Sequence, residues 1–295
     1  PYVDFNVPKY ETMIGAINRT PDLAWVVHVG DLKGGGQSCA DDELAYRFKL
    51  NSLIQLPFIL TPGDNDWFDC SRKTAGGFDA MERLTALRRM FFPVAGKTGG
   101  VHPFAVTSQA GAFGYPDFVE NVYWIRNDVM FATVHIIGVS PGEAGAELHE
   151  QVLNAGLAWL DTVFAAAVAM DVKGLFIATQ ADPYLFSGLR PLIRAACPLC
   201  PWVRPGYGKL DEALRLQSKR FARPILFAVG DTHVFRVDKP LYDGDDLVLN
   251  FTRVEVFGHP NVHWVRIVVD PASPEVFAIH QELVPENFGV GWQTE

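Results

Sequence analysis

Three short apolar runs in this chain stop abruptly at Gly-Asp: VVHVGD at Gly30-Asp31, FILTPGD at Gly63-Asp64 and ILFAVGD at Gly230-Asp231. An apolar run of about 4–8 residues bounded by a turn reads as a buried strand. Glycine lets the backbone turn there, so that an aspartate projects from the strand's carboxyl end. In open α/β sheets that edge is where ligands bind. A fourth run, GLFIAT, ends in Gln180-Ala181-Asp182, and the third Gly-Asp continues to His233.

Helical patterns alternate with these runs. Pro8 to Arg19 carries apolar residues at Tyr10, Met13, Ile14 and Ile17, the period of an amphipathic helix with proline near its start. Asp41 to Gln55, Asp79 to Met90, Gly145 to Met170 and Leu210 to Phe221 read as further helices. Ala24 to Val29, Pro57 to Thr61, Gly174 to Thr179 and Ile225 to Val229 read as strands. Such alternation predicts parallel sheet units. Val122 to Arg126 and Val129 to Val139, joined by Asn127-Asp128, read as a hairpin, and Leu247 to Ile279 as three closing strands. Hairpins beside helix–strand units suit two sheets flanked by helices, in a single domain over 1–295. Phe92 to Phe118 and Pro183 to Tyr207 show no period and are expected to run over the surface.

Composition sets limits on partners. A formal net charge of −9 argues against a nucleic-acid surface, which needs a basic stripe. It leaves room for an anionic substrate, because metal ions can invert a local field. No run reaches the roughly 18 uninterrupted apolar residues of a membrane span. The chain opens without a basic, then apolar, leader, so any signal peptide is expected to have been removed. Cys39 and Cys70 each follow a Gly-Asp turn, while Cys197 and Cys200 form CPLCP with no second pair for a zinc site. Two readings stay open: disulfides Cys39–Cys70 and Cys197–Cys200 in an exported protein, or free buried thiols.

The polar strand ends form a kit. Asp31, Asp64, Gln180 with Asp182, and Asp231 with His233 are what two divalent ions about 4 Å apart require. The oxygen-rich set favours Mn, Mg, Fe or Ca over Zn. A single Gly-Asp is ordinarily a turn or cap device. The recurrence, with GDTH, is what points to a site.

These residues carry a resemblance. GD at 30–31, GDND at 63–66, QAD at 180–182 and GDTH at 230–233 resemble the motifs of the calcineurin-like metallophosphoesterases, which run GD, GNH(D/E), H and GHxH in that order. GDNDW followed by DCSR, ALRRMFFP, QAD, GDTH and NFTRVEVFG is similar to a divergent bacterial branch of that family, over nearly the whole chain. The resemblance implies a four-layer α/β/β/α sandwich with two mixed sheets, and a two-metal phosphoric ester hydrolase. In such an enzyme a metal-bound hydroxide attacks phosphorus in a small phosphorylated substrate. It implies that Asp31 bridges the metals, that Asp64 takes the asparagine ligand's place, and that Gln180 and Asp231 stand where histidines are expected. His233 matches the family's last histidine directly.

The departures bear on chemistry. Asn65 occupies the place of the GNH histidine, and an amide is no general acid near neutral pH. Asp66 is the nearest substitute. The opening motif, D-x-H, has no match; a strand ending in aspartate is expected ahead of Pro1, and Asp4 is a poor replacement. Arg72 suits phosphate by its planar fork, with an ion pair to Asp69 as the alternative. Lys33 is placed to neutralise either substrate or the carboxylates. His135 reads as a buried structural histidine, His259, Asn261 and His263 as weak site candidates, and Arg88 and Arg89 as solvated helix residues. The competing function is a catalytically impaired phosphoesterase-like protein that binds metal or ligand. A metal enzyme with non-phosphoryl chemistry stands behind both.

Overall fold

The computed structural model describes residues 7–112, 114–138, 145–184 and 203–288. The first half is built from α1 (Val7–Arg19), β1 (Val26–His28), α2 (Asp41–Asn51), β2 (Pro57–Leu60), α3 (Asp64–Trp67), α4 (Ala80–Phe91) and β3 (Gly99–Gly100). The stripe Val7, Tyr10, Met13, Ile14 and Ile17 of α1 is buried, as its period requires. Asp79 caps α4, its carboxylate accepting the Glu82 N–H at 2.8 Å. β1 and β2 pair in parallel, and β3 adds antiparallel to β2.

The second half runs β4 (Thr107–Ser108), β5 (Val122–Arg126), β6 (Val129–Thr133), α5 (Ala146–Ala169), β7 (Gly174–Ala178), α6 (Gly208–Phe221), β8 (Ile225–Val229) and β9 (Arg236–Asp238). It ends with β10 (Tyr242–Asp243), β11 (Asp246–Leu247), β12 (Phe251–Glu255), β13 (Trp264–Val269) and β14 (Phe277–Glu282). A seven-stranded mixed sheet has the order β4-β5-β6-β7-β8-β12-β9. Asn127 and Asp128 both take positive φ, the demand of a two-residue hairpin turn, and close β5 onto β6.

Three buried clusters separate four layers. Ile14, Leu44 and Leu84 of the first helices pack on Leu60 of β2. Between the sheets lie Ile59, Trp124, Phe131, Phe176 and Leu226. Trp159, Phe164 and Leu214 of α5 and α6 cover the far face against Ile177 and Phe227. β8 shows the alternation directly: Ile225, Phe227 and Val229 face the helices, while Leu226 and Ala228 face the other sheet. This is the α/β/β/α sandwich of mixed sheets that the sequence predicts.

Several boundaries differ from expectation. The run LVLNFTRVEVF breaks into β11 and β12, because the Asn250 side chain donates to the Ser218 and Arg223 carbonyls, both at 2.9 Å, and anchors a turn. The expected strand Val129 to Val139 ends at Thr133. Glu147–Ala169 is long and apolar enough to cross a membrane, although no uninterrupted apolar run marks it; half of it is buried as the core helix of the outer layer.

The two larger sheets differ in closure. Among the described residues β1 pairs only with β2, and β13 and β14 form a two-stranded sheet of their own. A cavity of about 1010 Å³ touches every residue from Trp25 to Val29 and from Trp264 to Val269. Successive strand residues point to opposite faces, so a cavity touching all of them meets both strands edge-on. Tyr10, Met13, Ile14 and Ile17 of α1 line it as well, and Asp31, Asp231 and His233 stand along it. Asp4, the poor match to the opening motif, lies outside the described residues.

Candidate metal centre

Two of the three Gly-Asp turns deliver their aspartate through an unusual backbone, while Asp64 opens α3. Asp31, Asp231 and His233 all have positive φ, at 58°, 70° and 64°. Non-glycine residues held there cost about 1–3 kcal/mol each and cluster at functional sites. Close packing explains two glycines: a Cβ on Gly63 would lie 2.1 Å from Asp31 Oδ1, and one on Gly138 would lie 2.4 Å from Asp231 Oδ1. The His28 ring, at the end of β1, accepts the Gly30 N–H at 3.1 Å, and burial holds its pKa down at about 3.

The carboxylates meet at one amide. Gln180 Nε2 donates to Asp31 Oδ2 at 3.2 Å, Asp64 Oδ1 at 3.0 Å and Asp231 Oδ1 at 3.3 Å. Its Oε1 is turned away, accepting the Gly138 N–H at 2.6 Å. Thus strand ends from both sheets converge, and Gln180 sits among them as a donor rather than a ligand. Burial, with repulsion among the carboxylates, raises Asp31 and raises Asp64 strongly; the two carboxyls are hydrogen-bonded to each other. The other Asp231 oxygen accepts from the Arg204 guanidinium.

His233 is set as a ligand by its partner. Its Nδ1 faces the His259 carbonyl at 3.0 Å, and a carbonyl only accepts, so the proton lies on Nδ1 and the Nε2 lone pair is open. Burial lowers its pKa to about 4, which keeps the ring neutral near pH 7.

The remaining expected residues are placed differently. Asp66 is fully buried and accepts from the backbone N–H groups of Asp31 at 3.0 Å, Leu32 at 2.6 Å and Gly63 at 2.8 Å. It ties the first two Gly-Asp turns together and is spent as a structural acceptor, which corrects its expected role beside Asn65. Burial raises its pKa to about 7. Asn65 donates its backbone N–H to Asp31 Oδ1 at 3.3 Å, and its side chain lies against Gly35 beside Asp69 and Arg72. Arg72 pairs with Asp69 at 2.6 Å, its side chain 47% exposed at the rim. Lys33 is fully buried, donating to the Gly34 and Gln37 carbonyls at 3.3 and 3.2 Å among Asp66, Asp69 and Asp31. That position neutralises acids and leaves the ammonium no path to solvent.

Beneath the site the acids are paired. Asp182 accepts from Arg253 with both oxygens at 2.8 Å and from Arg236 at 2.7 Å, so it belongs to a buried ion network and not to the cluster. His135 is buried; Trp67 Nε1 donates to its Nε2 at 3.1 Å, which places its proton on Nδ1 against Glu120 at 2.7 Å. Arg88 is not solvated as expected: it forks onto Glu120 at 2.6 and 3.0 Å. His263 accepts the Val284 N–H and is structural. Cys39 and Cys70 form a disulfide that binds the glycine loop to the GDND segment, while Cys197 and Cys200 lie outside the described residues. Gly138 and Arg204 were not legible in the sequence, since neither sits in a motif and each is recognised only by its partner across the fold.

The layers and their strand ends define the class, a four-layer α/β/β/α sandwich with its polar site at the carboxyl edge. The structure is similar to that of PhoD, with a TM-score of 0.53 at 11% sequence identity, covering 86% of this chain and 54% of that one. This chain therefore spans about half the length of PhoD, and at that identity the likeness shows the fold. No protein-family model matches the sequence, and no curated protein sequence matches it.

Among the described residues no group of three or more His, Cys, Asp or Glu side chains is placed to hold a metal ion. The point shared by Asp31, Asp64 and Asp231 is held by the Gln180 amide at hydrogen-bond distance. The residue types nonetheless fit a hard divalent cation. Burial raises the pKa of Asp31 and Asp64, so these two carboxyls beside Asp231 are short of positive charge, and such oxygen donors select Mg, Mn or Ca.

Proposed function

We infer that this protein is a metal-dependent phosphoric ester hydrolase acting on a small phosphorylated substrate. The observation that supports this reading most is the convergence of Asp31, Asp64 and Asp231 on one point from strands of two separate sheets. Asp31, Asp64 and Asp231 would hold the metal once the Gln180 amide turns, with His233 Nε2 adding a nitrogen donor. A second ion, as the family resemblance implies, would draw on the same set of oxygen donors. A divalent cation there supplies Lewis acidity and neutralises charge developing on a phosphoryl group.

The chain's own groups supply the rest. Arg72 at the rim presents a guanidinium to phosphate oxygens, and Asn65 offers amide hydrogen bonds beside it. Lys33 and Asp66 keep the two turns in place from below. The disulfide supports an oxidising compartment, so we place the protein outside the cytoplasm.

Hydrolysis of aryl phosphate mono- and diesters, with Mn, Mg, Ca, Fe or Zn added singly, tests the reading. Turnover with at least one metal is expected, and none with any metal overturns it. A second reading is favoured by Gln180, whose oxygen is committed to Gly138 and whose amide is no imidazole: a phosphoesterase-like protein that binds metal or ligand without hydrolysis. Saturable metal binding with no turnover selects it.

A further inference from the structure

Among the described residues Arg204 is a cation bonded directly to the carboxylate cluster, and no motif announces it. Its guanidinium donates to Asp231 Oδ2 and, at 3.3 Å, to the Asp182 carbonyl. Its backbone N–H is fixed to the Pro183 carbonyl at 3.0 Å, just past the end of β7, and the Tyr207 ring lies 6.0 Å from the guanidinium. The side chain is 20% exposed, so a pinned backbone carries a cation at the border of the site. Both Asp231 oxygens are thereby engaged: one takes the Gln180 amide and the other takes Arg204.

We propose that Arg204 is a partner-exchanging residue, which neutralises Asp231 until a divalent cation takes that carboxylate and then binds the anionic oxygens of the phosphorylated ligand. The proposal rests on the metal-centred reading above. A guanidinium and a divalent cation on one carboxylate repel each other, so each lowers the other's occupancy. Released from Asp231, the fork remains held by its backbone beside the site. Its planar donors match two oxygens of a phosphoryl group, a geometry that lysine lacks. Burial alone would disfavour the charge on Arg204, but the Asp231 carboxylate holds it in place.

The test measures two affinities on the full chain: Mn²⁺ by electron paramagnetic resonance, and inorganic phosphate by calorimetry at saturating Mn²⁺. Wild type, Arg204→Ala, Arg204→Gln and Arg204→Lys are compared. Removing the charge in the Ala and Gln variants should tighten Mn²⁺ by at least ~5-fold and weaken phosphate by at least ~5-fold, the scale of ordinary coupling between sites. Lys should keep Mn²⁺ near the wild-type value and recover only part of the phosphate affinity. Arg204→Gln retains a hydrogen-bond donor to Asp231, so agreement of Ala with Gln assigns the effect to charge rather than to a lost contact. Unchanged or weaker Mn²⁺ binding in both variants overturns the proposal, as does unchanged phosphate affinity. Wild type that binds no Mn²⁺ fails the metal-centred reading itself, a result distinct from either of these.

Discussion

The seven-stranded sheet and the three-stranded sheet contribute to the same site but are finished to different degrees. In the first, β7 and β8 are buried along their full length between two neighbours each. In the second, β1 is half-buried throughout and among the described residues pairs on one side, its other edge lying on a cavity. The closed sheet offers Gln180 and Asp231 from strands locked by hydrogen bonds on both sides. The open one holds Asp31 and Asp64 by other means: the Asp66 carboxylate that ties the turns, the buried Lys33, and the Cys39–Cys70 disulfide. Where strand pairing among the described residues is one-sided, side-chain cross-links carry the geometry.

The largest expected effect joins the halves. Asp31→Asn and Asp231→Asn should each reduce turnover on the order of 10³-fold, the scale seen when one preorganised charge-stabilising group is removed. In the metal-free protein Asp31→Asn should also raise the unfolding midpoint. The pKa of Asp31 is raised, chiefly by burial, so its charged form is destabilising at pH 7 and a neutral amide of the same shape relieves that cost. Equal turnover in both variants and wild type would separate the two halves functionally.

Packing gives the next contrast. Ile177→Ala, at a fully buried position on β7, should cost about 2–5 kcal/mol. Ile267→Ala, on the half-buried β13 beside the cavity, should cost no more than about half of that. Urea midpoints measure both, and equal losses would contradict the difference in closure.

Breaking the staple tests the open half alone. Cysteines 31 residues apart close a loop worth ~3–4 kcal/mol in the chain-entropy account. Reduction, or Cys39→Ser with Cys70→Ser, should therefore lower stability by about that amount. Turnover should fall more steeply with temperature than global unfolding does, because the GDND segment loosens first.

Acid should act on the closed half. Burial pushes Glu120 up, but His135 and the Arg88 guanidinium outweigh it and hold its pKa down at about 2. A depressed carboxylate contributes stability that is present above the unfolded pKa and is lost as pH falls through the folded one. The contribution, up to about 3 kcal/mol, should thus fade between about pH 4.5 and 2. Glu120→Gln should flatten that limb of the urea-midpoint profile; an unchanged limb contradicts the assignment.

How much of this was legible in the sequence follows from range. Gly30-Asp31, Gly63-Asp64 and Gly230-Asp231 are readable because a strand, a turn and a projecting acid are contiguous events. The four layers follow from helix and strand periods for the same reason. Asp66 was misread because its three N–H partners lie partly some 34–35 residues away, and a buried acceptor looks like any acid. Asp182 was misread as part of the ligand set because its neutralising partner, Arg253, is 71 residues on. Gln180 was placed in the right cluster with the wrong end forward, since only the Gly138 N–H decides which way its amide turns.

The central claim is that acids from both sheets make one cation site, and a Mn²⁺ titration followed by electron paramagnetic resonance tests it most directly. Saturable binding in wild type, lost in both Asp31→Asn and Asp231→Asn, is the predicted result. Binding that survives in either variant, or that never saturates in wild type, contradicts it.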